Sequence, residues 1–282
     1  MDFGAHVSAA GGLWSAPERA ANIGCEIFQF FTRPPQGGAA PPITAETVEK
    51  FKEAVRKFHM KSAYVHAPYF LNLASINQRI RHGSIKIIRE DLERASLLGC
   101  QALMFHPGSA KDAGQKKGEE FIREGLNQIL EGYDGSCRLL IEISAGAGMV
   151  MGDTFEEISF FLKGAERGSE IGVCFDTQHA FASGYDLRTQ ETVQKTLDLF
   201  DRIIGLNRLI LFHANDSQTD FESHRDRHEH LGKGKIGVEA FRSLVQNHAL
   251  KKVNMIVETP FKQNGKGVEE DLLFLKNLRE KT

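Results

Sequence analysis

The chain has 282 residues, 26% of them charged and 41% hydrophobic, an ordinary balance for a folded protein with enough apolar material for a core. The formal net charge of −2 supplies no global basic field, so any affinity for a polyanion must come from a local basic rim. No apolar stretch approaches the roughly 18–20 residues of a membrane span, and a strand is expected as early as Phe3, which leaves no charged-then-apolar leader.

Eight short apolar runs follow in order. FGAHV (Phe3 to Val7) and CEIFQFF (Cys25 to Phe31) come first. SAYVH, ALMFH, LLIE, GVCFD, LILFH and MIVE then close on His66, His106, Glu142, Asp176, His213 and Glu258. The candidate strands begin near residues 3, 25, 62, 102, 138, 171, 208 and 254. Most intervals are roughly 35 residues, the length of strand, helix and loops together.

The intervals carry helical spacing. Thr44 is placed to cap a helix with Val48, Phe51, Val55 and Phe58 on one face. Ile85, Ile88, Leu92, Ala95 and Leu98 recur at threes and fours until Gly99. Asp153 and Glu156 stand at capping-box spacing ahead of Ile158, Phe161 and Leu162. Val238, Phe241, Leu244 and Val245 mark another helix, and Leu272, Leu273 and Leu275 a last one. The proline-rich segment Pro34 to Pro42 reads as a long loop, not a domain boundary.

Strands that alternate with helices require a parallel sheet. The economical closure is a (β/α)8 TIM barrel, one domain over residues 1–282. An open doubly wound sheet is the alternative, although Ser8-Ala9-Ala10-Gly11-Gly12 after the first strand is not its GxGxxG phosphate turn. In a barrel the C-terminal strand ends share one mouth, so the six strand-end residues would converge there. His179, in Asp176-Thr-Gln-His179, and Asp226 and His228, in Asp226-Arg-His228, bring the candidates to five imidazoles and four carboxylates. This donor set suits zinc, manganese or iron better than magnesium or calcium, and carboxylates can bridge two ions. A lone histidine in an apolar run is more often a core residue, but six independent coincidences at strand ends are far less common. His6 is expected to play a supporting part, and His59, His82, His230 and His248 surface or packing ones.

Other motifs carry less. His224-Arg225-Asp226 resembles a kinase HRD without the accompanying loops, and Gly232 to Gly237 is a tight turn with two lysines, not a P-loop. Cys25, Cys100, Cys137 and Cys174 lie in or beside apolar runs with no CxxC spacing, as for buried free thiols in a reducing cytoplasm.

Several segments together resemble the endonuclease IV family of apurinic/apyrimidinic (AP) endonucleases. They are GAHVSAAGGL, FHPGS, IEISAGAG, GVCFDTQHAFASGYDLR, HANDS, DRHEHLGKGKIG and IVETP, and they cover essentially the whole chain. The resemblance implies a xylose-isomerase-like barrel with three zinc ions, some members using manganese or iron. His66, His106 and Glu142 would hold the first ion. Glu142, Asp176, His213 and Glu258 would hold the second, with Glu142 bridging. His179, Asp226 and His228 would hold the third. It implies cleavage of duplex DNA 5′ to an abasic site, leaving a 3′-hydroxyl and a 5′-deoxyribose phosphate, and removal of 3′-blocking groups, with Glu142 and Glu258 as the catalytic carboxylates. Tyr69 would pack in the gap left by the missing base, the alternative being a core aromatic. Arg225, Arg227, Lys233 and Lys235 would bind flanking phosphates, the alternative being a solvated loop. A monomer is expected. The chain departs from the family after the second strand: Phe31-Thr32-Arg33-Pro34-Pro35-Gln36-Gly37-Gly38 replaces a Lys-Asn-Gln-Arg-like stretch, leaving Arg33 and Gln36 as the polar groups with reach. IEISAG also replaces the usual IENTAG. A sugar isomerase on a related barrel would not need the third ligand set, and a silent lesion binder would not keep all four carboxylates.

Overall fold

A computed structural model describes residues 1–260 and 266–280; residues 261–265 and 281–282 of the expected domain lie outside the described residues. The strands are β1 (Phe3–His6), β2 (Ile27–Phe30), β3 (Ala63–His66), β4 (Ala102–Phe105), β5 (Arg138–Glu142), β6 (Gly172–Asp176), β7 (Leu209–His213), the two-residue β8 (Asp216–Ser217) and β9 (His228–Glu229), and β10 (Asn254–Val257). The helices are α1 (Ala16–Asn22), α2 (Ala45–Lys57), α3 (Gln78–Leu98), α4 (Gln115–Leu130), α5 (Phe155–Gly164), α6 (Thr177–Ala182), α7 (Gln190–Ile203), α8 (Val238–Gln246) and α9 (Lys266–Glu280). β1 to β7 pair in sequence, and β10 closes the ring between β7 and β1. Every barrel pairing is parallel. Closure settles the architecture against the open sheet. β8 and β9, an antiparallel ladder outside the barrel, have no counterpart in the expected strands.

Side chains alternate across each strand, so every second residue faces the barrel axis. Ile27, Tyr64, Ala102, Met104, Leu140, Cys174, Leu211 and Ile256 meet on the axis as one fully buried cluster. Gly4 shares that level, and a Cβ there would collide with the carbonyl oxygen of Ile27 on β2. The outward residues, among them Phe28, Phe30, Phe175 and Phe212, join the helices in the main core. Phe30 and Phe51 of α2, for example, bring ring centroids to 5.4 Å.

The expected helices form for the expected reasons. The Thr44 hydroxyl accepts from the Thr47 N–H and starts α2. Gly99 adopts φ 77 and ends α3, a left-handed cap that glycine takes without strain. The cap of α5 differs by one residue: Thr154, not Asp153, accepts from the Glu157 N–H. The Glu157 carboxylate reaches back to the Gly152 N–H at 2.7 Å. All four cysteines are buried and free. Among the described residues no helix is long and apolar enough to cross a membrane.

Candidate metal centre

The residues two positions beyond the apolar axial cluster are Gln29, His66, His106, Glu142, Asp176, His213 and Glu258. Period-two alternation therefore sets a polar tier directly above the apolar one, at the C-terminal end of the barrel. His66, Glu142, Asp176 and His213 are the last residues of their strands, while His106 and Glu258 follow theirs by one. Strand register brings Asp176 opposite His213 and Glu142 beside Cys174.

Glu142 is the hub. It is fully buried, and its Oε2 lies 3.0 Å from His66 Nε2 and 3.6 Å from His106 Nε2. Its Oε1 lies 2.8 Å from His213 Nδ1 and 3.6 Å from His179 Nδ1. One ligand atom each from Glu142, Asp176, His213 and Glu258 falls within 4.8 Å of the others, as does one each from Asp176, His179 and His228. His179 and His228 face each other with Nε2 atoms 3.4 Å apart. Asp226 reaches both, at 3.4 Å and 3.3 Å. All nine predicted ligands thus gather at one mouth, where the closest groups are His66 with Glu142 and His213, His106 with Glu142 and His179, Asp176 with His179 and His228, and Glu142 with Asp176, His213 and Glu258.

The ring orientations are held from behind. His66 Nδ1–H donates to the Ala67 carbonyl at 2.6 Å, His179 Nδ1–H to the Ile143 carbonyl at 2.9 Å, and His228 Nδ1–H to the Glu258 carbonyl at 3.2 Å. Each leaves Nε2 as the nitrogen turned to the mouth, where a cation would meet it. His213 is turned the other way: its Nε2–H donates to Gln29 Oε1 at 2.8 Å, so Nδ1 faces the carboxylates. Asp176 does two jobs. Its Oδ1 caps α6 through the His179 N–H, and its Oδ2 accepts from Asn215 Nδ2 at 2.6 Å. The IEISAG departure leaves this scheme intact, because Ile143 contributes only its main-chain carbonyl.

Charge follows geometry. Burial works against the Glu142 anion, but His106 and His213 outweigh it and hold its pKa well below the carboxylate range. Burial would lower the pKa of His179, yet Asp176, Asp226 and Glu142 raise it to about 10. Burial also opposes the proton on His213, and Cys174, Glu142 and Glu258 raise its pKa well above the ordinary value. Carboxylates this close draw cations of some kind, and a divalent ion competes with protons for the same lone pairs. The donor set fits such an ion: four imidazoles spend one nitrogen on a protein acceptor and aim the other at carboxylate oxygens.

The mouth opens into a cleft of about 590 Å³, lined on one side by His66, His106, His179, Asp226, His228 and Glu258, and elsewhere by Tyr69, Phe70, Leu71 and Val150. Tyr69 is 63% exposed, which removes the core-aromatic alternative. Its ring leans on Phe31 and His66, each at 5.4 Å. Gln36 is exposed, and a side chain at the neighbouring Gly37 would meet the Phe70 ring at 3.8 Å. Arg225, Arg227 and Lys233 are exposed on the loops around Asp226, Lys233 being 3.4 Å from Glu270 and Lys235 3.4 Å from Asp220. Arg33 departs from the expectation. It is buried, donates to Asp91 at 2.8 Å and to Glu90 at 3.0 Å, and so braces its loop against α3 instead of reaching into the mouth. His6 stands behind the ligands as expected, 3.7 Å from Glu258 Oε1.

Three supporting residues escape sequence reasoning. Gln29 contacts His213, Glu258 and His6. Asn215 joins Asp176 to the Glu258 N–H. Asp271 of α9 accepts from Thr259 Oγ1 at 2.6 Å and the Leu231 N–H at 3.0 Å, and pairs with His230 at 2.7 Å. It thereby ties down the segments just beyond Glu258 and His228. Only Gln29 leaves a trace in the sequence, as a lone amide in an apolar run.

Comparison with known proteins places these features. The family described as xylose isomerase-like TIM barrel matches residues 17–278. The chain is 37% identical over 273 residues to a protein named probable endonuclease 4 from Clostridium botulinum, covering 97% of this chain and 98% of that one. It superposes on the crystal structure of endonuclease IV from Thermus thermophilus with a TM-score of 0.88, at 31% identity and full coverage of both chains. A D-tagatose 3-epimerase-like protein shares the fold, with a TM-score of 0.73 at 22% identity over 100% of this chain and 99% of that one.

Proposed function

Because the chain belongs to the endonuclease IV family of AP endonucleases, within the xylose isomerase-like TIM barrels, we propose that it cleaves duplex DNA on the 5′ side of abasic sites, leaving a 3′-hydroxyl and a 5′-deoxyribose phosphate. Removal of 3′-blocking groups belongs to the same proposal, since it breaks the same kind of bond, between a 3′-oxygen and phosphorus, and leaves the same 3′-hydroxyl. The observation that carries the reading is the third ligand neighbourhood. His179, Asp226 and His228 extend the donor set from the barrel axis to the rim, where a phosphodiester backbone can reach.

Three divalent ions, zinc above all, with manganese or iron as substitutes, fit the donors. His66, His106 and Glu142 would hold one, Glu142, Asp176, His213 and Glu258 the second, and His179, Asp226 and His228 the third. Bound there, they would supply positive charge to the phosphodiester and acidity to a nearby water. The protein's own part is positional. Glu142, enclosed by four histidines, is a fixed counter-charge. Glu258 lines the cleft and is partly exposed where Glu142 is not, so it is the carboxylate better placed to orient a water, with Oε2 3.2 Å from His213 Nδ1. Tyr69 would stack where the base is missing. Arg225, Arg227, Lys233 and Gln36 would contact the flanking strands, while Arg33 is left to its brace. Buried free thiols suit a reducing cytoplasm that also holds the chromosome, and a monomer suffices, since every ligand comes from one chain.

The test is incision of a duplex with a single abasic site, by protein as purified and by protein stripped with chelator and then reloaded with Zn²⁺. Incision should vanish on stripping and return on reloading. Undiminished incision by fully stripped protein would overturn the proposal.

A further inference from the structure

Gln29 stands on β2 in the polar tier, fully buried, among residues that otherwise carry ligand atoms. Its amide makes three contacts. Oε1 accepts from His213 Nε2–H at 2.8 Å. Nε2 donates to Glu258 Oε1 at 2.6 Å and to His6 Nδ1 at 3.0 Å. The orientation of the amide is decided by Glu258, because the opposite one would set the amide oxygen against a carboxylate oxygen. His6 takes the second amide hydrogen. The group is thus fully committed, with no spare donor and no freedom to flip.

From this we infer that Gln29 is a positioning residue for the ion shared by His213 and Glu258. It chooses Nδ1 as the ligand nitrogen of His213 and ties down Glu258 Oε1, which leaves Oε2 beside that nitrogen at 3.2 Å. The inference rests on the metal reading of the mouth and adds a residue to it. Two physical facts support the choice. A histidine offers one lone pair in its neutral form, and the hydrogen bond on the other nitrogen decides which. His213 is the one ligand among the four with a described backing bond that takes it from a side chain; His66, His179 and His228 use backbone carbonyls, which no substitution at their partners removes. The orientation of His213 alone is therefore open to a single side-chain change.

The experiment uses Co²⁺ as the probe, bound to metal-stripped protein. The readouts are stoichiometry, affinity and visible absorption spectrum, with circular dichroism as the control for folding. Gln29→Leu keeps the bulk and removes every hydrogen bond. It should weaken one Co²⁺ per chain by about 10–100-fold and alter the spectrum. Gln29→Glu keeps an acceptor for His213 but opposes Glu258, so the nitrogen-bound proton of His213, followed by ¹⁵N NMR, should remain on Nε2 while the spectrum still changes. Wild-type affinity and spectrum in a folded Leu variant would overturn the inference. If the Leu variant fails to fold, an unchanged spectrum in the Glu variant would overturn it equally. Failure of the unmutated protein to bind Co²⁺ would instead defeat the metal reading beneath it, and the inference with it.

Discussion

The axial interior of the barrel holds two tiers made by the same strands, two residues apart, and they behave as different materials. The lower tier, with Tyr64, Met104, Leu140, Cys174, Leu211 and Ile256, is fully buried and closes the barrel by packing. The upper tier, with His66, His106, Glu142, Asp176, His213 and Glu258, is nearly as buried but holds together through charge. One step along a strand changes packing into chemistry without changing the backbone. The lower tier gives the ligands rigid roots, and the upper tier can be poor in apolar contacts because its neighbour is rich in them.

Substitutions should separate the tiers. The largest effect is expected from Glu142→Gln, which removes the carboxylate shared by the first two ligand neighbourhoods. Single-turnover incision of an abasic duplex should fall by about three orders of magnitude or more, roughly 4 kcal/mol of barrier, with the barrel retained by circular dichroism. A variant that keeps its rate would break the distinction. Leu140→Ala, one step below on the same strand, should do the reverse. Denaturant unfolding should show a loss of about 2–5 kcal/mol, while metal content per folded chain stays constant.

Acid sharpens the same contrast. His179 keeps its proton up to about pH 10, so near neutrality an entering cation must displace a proton, and lower pH favours the proton. Metal retained after dialysis should therefore fall steadily from pH 8 to pH 5. In stripped protein the sign is opposite. A pKa raised above the ordinary 6.5 contributes stability in full below 6.5 and loses it as pH rises through about 10. The melting temperature of stripped protein should accordingly fall between pH 7 and pH 10. The smallest effect belongs to the rim: Tyr69→Ala should weaken binding of an abasic duplex about tenfold, the value of one stacking contact, by fluorescence anisotropy, with bound metal unchanged.

Much of this is legible in the sequence, and the reasons are physical. The eight strands and the ligands show because an imidazole or carboxylate closing an apolar run contrasts sharply with it. The cap of α5 shifts by one residue because Asp153 and Thr154 are both competent caps, and only the helix axis decides between them. Arg33 turns inward because its partner, Asp91, lies 58 residues away on α3, and nothing local announces the burial of an arginine. Gln29 and Asn215 have no spacing signature, since their meaning arises only when the barrel closes. Asp271 looks like any charged residue on an amphipathic helix.

The Asp271 knot has a bearing on how the protein is made. The ligand tier runs from His66 to Glu258, and the helix that anchors the last two ligand segments comes later still. A ribosome must therefore deliver the chain as far as α9 before the mouth has its full set of supports. A chain released short of that point keeps most of the strands but lacks Asp271 and the anchorage of Glu258 and His228. Such incomplete chains carry the ligand residues without the tie that α9 supplies behind them.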